Sequence, residues 1–169
     1  MKRTVEVLLL VFMFMLAADT ARAQTVDAPH AAKNAVRTIF YKNQQYRFRF
    51  RLPASWTGYT ILKEQWTGYI EGQEGGEREV EHGPLLIIRH PLWTEDDPRE
   101  DIPIMILSHR QWRRVHSEEV LVSAAPFPPS ELGHNAKWVF ALPARYNYDL
   151  LTGFEEVDEI MKSNPLRGF

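Results

Sequence analysis

Three apolar runs restrict this chain more than any other feature. "PLLIIRH" (84–90), "IPIMIL" (102–107) and "KWVFAL" (137–142) hardly alternate between apolar and polar residues. A strand with one wet face alternates with a period of two, so runs that do not alternate suit strands covered on both faces. Their length and their β-branched and aromatic residues favour strands, with a short buried helix as the alternative for each. A sheet covered on both faces needs a packing layer on either side.

The rest of the chain supplies material for those layers. "IFYKNQQYRFRFRLP" (39–53) reads as a hairpin, with Phe48, Phe50 and Leu52 on one face and Arg47, Arg49 and Arg51 on the other. "SWTGYTILKEQWTGYIEG" reads as a strand or a bent pair of strands, "QEGGEREVEHG" as an acidic glycine-rich loop, and "LVSAAPF" as a weak strand cut by prolines. Two helices carry start signals. Ser108 to Gln111 and Thr152 to Glu155 both match a capping box, and Phe154, Val157, Ile160 and Met161 form one apolar stripe closed by Pro165. Strands dominate and most connections are too short for parallel crossovers. The expected class is α+β, a mainly antiparallel sheet with helices packed on it.

Ahead of this domain stand Lys2 and Arg3, an apolar run from Val7 to Ala18, and Ala21-Arg22-Ala23. Basic start, short apolar stretch and small-residue site are the layout of a secretory signal peptide, and about 12 apolar residues fall short of the roughly 20 that span a bilayer. The expected organisation is a signal peptide over 1–23, a tether over 24–37 and one domain over 38–169, in a periplasmic or secreted protein with no membrane span after cleavage. The chain contains no cysteine, which removes disulfides, thiolate nucleophiles and lipidated cysteine. Its net charge of -2 argues against a nucleic-acid partner.

"YKNQQYRFRFRLPASW" resembles the opening of PsbP-like domains, and "WVFALPARYNYDLLTGFEEVDEIMKS" resembles their ending, a late strand and a C-terminal helix. The stretch around "GPLLIIRHPLW" and "FALPARYN" also resembles exported bacterial proteins of unknown function. The PsbP-like resemblance implies an antiparallel sheet sandwiched between helices and an accessory or binding role. It carries no site residue over to this sequence.

No catalytic motif is legible. The serines lie in neither G-x-S-x-G nor S-x-x-K, and Ser108 is accounted for as a helix cap. The acids of "RHPLWTEDDPRED" lack calcium-loop spacing, and His109 and His116 stand two helical turns apart, too far for one ion. That loop reads as a structured connection with solvated acids. A paired-carboxylate glycosidase needs no closeness in sequence and stays open. The arginine stripe reads as paired across strands with acids such as Glu64, or else as an anion-binding surface. The five tryptophans read as core residues rather than a sugar groove.

Arg89 and Arg145 follow apolar runs and need solvent or a carboxylate. Asp101 is placed to face Arg89 across a hairpin. The candidate cluster is therefore Arg89, His90, Asp101, Arg145 and Tyr146, as an ion pair or, if they converge, as a pocket for an anion. The expectation is an exported binding or accessory module, without cofactor, for an unknown protein or a small anionic ligand. The alternative is a small extracytoplasmic hydrolase whose site assembles only in the fold.

Overall fold

The computed structural model describes residues 37–71 and 76–169. The described residues all belong to one compact unit. The expected signal peptide and the tether as far as residue 36 lie outside the described residues.

Strands β1 (Thr38–Asn43) and β2 (Phe48–Pro53) form the expected antiparallel hairpin. Phe48, Phe50 and Leu52 are buried and the arginines between them are exposed, so the alternation has its expected cause. A single 3-10 turn, Ala54–Trp56, then leads into β3 (Thr60–Glu71) and β4 (Glu77–Arg89). These two are longer than the sequence suggests. The stretch "SWTGYTILKEQWTGYIEG" contains one strand, whose register against β4 shifts between Gly68 and Tyr69, and "EREVEHG" is strand rather than loop. Pro84 lies inside β4 opposite Gln65, but β5 (Ile102–Ser108) pairs with β4 only over Leu85–Ile88. The proline is thus tolerated where β4 has no second neighbour.

After β5 the chain enters α1 (His109–His116), capped by Ser108 with both halves of the capping box formed. "LVSAAPF" is not a strand. It makes one isolated bridge, Leu121 to Tyr69, and its prolines deny the backbone donors a ladder needs. Strands β6 (Ser130–His134) and β7 (Trp138–Leu142) follow, then α2 (Phe154–Lys162) and β8 (Leu166–Gly168). Helix α2 does not use the expected cap. Gly153 holds the N-cap at φ 88, a left-handed conformation that suits glycine, and the Thr152 hydroxyl donates instead to Asp97 at 3.1 Å.

Two sheets result, β1-β2-β8 and β3-β4-β5-β7-β6, and every pairing in both is antiparallel. The class is α+β with a mainly antiparallel sheet, as expected. Strand β5 explains the unbroken apolar runs. Its Ile102, Ile104 and Ile106 join Phe48, Phe50, Phe140, Val157 and Ile160 in one core, between the large sheet and the layer of small sheet and α2. Its Met105 and Leu107 join Trp66, Val115 and Val120 in a second core beneath α1. Among the described residues no helix is long and apolar enough to cross a membrane.

Candidate functional site

Three residues of the expected cluster, Arg89, His90 and Asp101, lie at one end of the large sheet. Arg89 ends β4 and Asp101 precedes β5. The guanidinium donates Nη2 to Oδ2 at 2.8 Å and Nε at 3.1 Å, while the Trp93 ring lies 3.9 Å from it on the other side. His90 turns inward. It is 5% exposed, its ring meets Trp56 edge-on at 4.9 Å, and Nδ1 accepts the Leu92 N–H. Burial, and then the Arg99 charge, hold its pKa below 6.5, so the ring is neutral at pH 7.

Tyr146 belongs to a different set of contacts. Its hydroxyl donates to Asp158 Oδ1 at 2.6 Å, and Asn147 donates to the same oxygen at 3.1 Å. Burial and that carboxylate push the phenol well above its usual range. Arg145, at φ 57, is exposed and stands 5.8 Å from the Tyr148 ring. The structure thus joins Arg89 to Asp101, places His90 on Trp56 and Tyr146 on Asp158, and leaves Arg145 on the surface. Glu100, read from the sequence as one of the loop's solvated acids, is instead buried. It is 5% exposed, its Oε2 has no hydrogen-bond partner, and burial raises its pKa.

A larger concavity lies elsewhere, where the β1–β2 hairpin overhangs β3 and β4. It is a cleft of about 740 Å³, within the roughly 300–1,000 Å³ usual for small-ligand sites. Tyr41, Ile61 and Leu86 supply its apolar surface, and Gln45, Lys63 and Gln65 are among its polar groups. Asn43 Nδ2 donates to the Tyr41 hydroxyl at 2.7 Å and Gln45 Nε2 to the Tyr46 hydroxyl at 3.0 Å, which leaves both phenol protons free to be donated. Burial raises the pKa of Tyr41, so it is a neutral donor at pH 7. Glu64, expected to pair with the arginine stripe, lines this cleft from the other sheet, and Arg51 donates to the Ser163 carbonyl instead at 2.7 Å. The cleft joins two hairpins of different sheets, and no local spacing announces such a juxtaposition.

His109 and His116 do not meet, although the His109 ring stands edge-on to that of His134 at 6.2 Å. His109 Nε2 meets the Asn135 carbonyl at 2.9 Å, and His116 stacks on Trp112. Among the described residues no three His, Asp or Glu side chains are grouped to hold a metal ion. No family model, no curated protein and no solved structure matches the chain.

Proposed function

We propose that this chain is an exported binding module, of the PsbP-like kind, that holds a small polar ligand in the cleft between the hairpin and β3–β4. One observation carries the reading. The cleft gathers two tyrosine hydroxyls, neutral amides and two lysines around an apolar floor, and of these the hydroxyl protons of Tyr41 and Tyr46 are unengaged. A few fixed polar groups on an apolar floor give a ligand orientation and specificity. Lys42 and Lys63 suit a ligand bearing a carboxylate or another single negative charge. The antiparallel sheet with helices packed on it supports the PsbP-like reading, and the short apolar run before Ala21-Arg22-Ala23 supports export to the periplasm or medium.

A thermal-shift screen of polar metabolites tests the cleft, because a ligand of the folded state raises apparent stability by mass action. The expected result is a ligand whose shift disappears in Tyr41→Phe and Lys63→Met. A shift that survives both variants sinks the reading. So does turnover of ester or glycoside test substrates that is lost in Glu64→Gln or His82→Ala. Intact-mass measurement of exported protein tests the leader: the expected chain begins at Gln24, and full-length chain in the membrane fraction contradicts it.

A further inference from the structure

The outward face of the small sheet carries a second feature, which shares Lys42 with the rim of the cleft. Register sets Lys42 of β1 opposite Arg49 of β2, and Arg49 opposite Arg167 of β8. Three cations therefore stand in one row across three adjacent strands, whose backbones lie about 4.8 Å apart. Like charges directly opposite one another destabilise a sheet. Yet all three side chains are exposed, and none forms an ion pair with a carboxylate, the chain-terminal one included, among the described residues.

The row is also shaped. Two exposed rings, Phe40 on β1 and Phe169 after β8, flank it and hold the cations in place. Arg49 lies 5.8 Å from the Phe40 centroid, and Lys42 lies 5.3 Å from that of Phe169. With Gly168 they enclose a hollow of about 650 Å³. Gly168 is required there: a Cβ would collide with the His134 carbonyl, so β8 can seat against β6 only without a side chain at that position.

We propose that this hollow is a binding site for a phosphate-type dianion carried on a small soluble ligand. Two guanidinium groups and an ammonium match an oxyanion with several acceptor oxygens, and arginine can address it through two parallel N–H donors. The anion relieves the repulsion along the row. The hollow is half open to solvent, and its bounded volume suits a discrete charged group rather than a membrane surface.

Calorimetric titration of the purified chain with pyrophosphate at low ionic strength tests the site. Saturable binding is expected, weakened at least about tenfold by Arg49→Gln or Arg167→Gln and unchanged by Lys63→Gln in the cleft or by Arg113→Gln on α1. Unliganded Arg49→Gln is expected to melt no lower than the parent at low salt, because it removes a like-charge neighbour. Absence of saturable binding overturns the proposal. Equal weakening by Arg113→Gln overturns it too, since net charge alone would then explain binding. A lower melting point in unliganded Arg49→Gln makes the row structural, and binding to vesicles of anionic phospholipid without binding of pyrophosphate makes the face a membrane contact.

Discussion

Arg89 and Asp101 continue the β4–β5 register one step beyond its last paired residues, and their side chains close it with a two-pronged ion pair. Each is about a quarter exposed, at 27% and 22%. Solvent reduces the value of such a pair, but removing one partner strands the other beside the Ile88 and Ile102 core. Asp101→Asn is expected to lower unfolding free energy by about 1–2 kcal/mol. Neutralising the exposed Glu95 and Asp96 together is expected to change it by less than about 0.5 kcal/mol. Urea denaturation compares the two, and a larger loss in the loop double mutant would reverse this assignment of roles.

Ser108 holds α1 through three bonds to Gln111, one of them its own hydroxyl donating to Gln111 Oε1 at 2.9 Å. Its Oγ accepts the Gln111 N–H at 3.2 Å, and its own N–H reaches Gln111 Oε1 at 2.9 Å. Ser108→Ala is expected to cost about 1 kcal/mol. Thr152→Ala loses only an exposed contact to Asp97 and is expected to cost under about half of that. Chemical denaturation of the two variants side by side decides, and equal losses would mean that Thr152 steadies α2 after all.

Two buried groups give stability opposite dependences on pH. The folded pKa of His90 is depressed below 6.5, so its contribution is complete above that pH and is lost as pH falls through the folded value. The folded pKa of Glu100 is raised above 4.5, so its contribution is complete below that pH and is lost as pH rises through the folded value. Stability measured from pH 4 to 8 is expected to fall less on the acid side in His90→Gln and less on the alkaline side in Glu100→Gln. Profiles parallel to that of the parent would show that neither group is linked to folding.

Trp66 covers Gly83 on the neighbouring strand. A Cβ at that glycine would sit 2.7 Å from the indole, whose Nε1 donates to the Ile106 carbonyl at 3.0 Å. Gly83→Val must therefore displace the ring and its hydrogen bond, with an expected loss of about 2–3 kcal/mol. Shifted tryptophan emission together with an earlier urea midpoint is the expected signature. Unchanged emission would mean that the ring has room to accommodate the valine.

What the sequence alone determines here is what depends on neighbours in the chain. The alternation from Phe48 to Leu52 reports one buried face, the runs at 102–107 and 137–142 report strands covered on both faces, the run at 84–90 is buried on one face and only half-buried on the other, and Ser108 caps its helix within a single turn. Such signals are local because burial repeats with the period of the backbone itself. The tertiary structure decides everything that joins distant segments. It splits the strands into two sheets and hangs the hairpin over β3–β4 to make the cleft. It also brings Arg167 beside Arg49, although the short strand β8 carries no periodicity that could announce it. The arginine stripe shows the difference most clearly. Its exposure is written in the alternation, but its partners are set by strand register, which supplies cations where acids were expected. Register follows from the packing of Tyr41, Phe50 and Leu166 on the inner face, and no period of the chain encodes that three-strand contact.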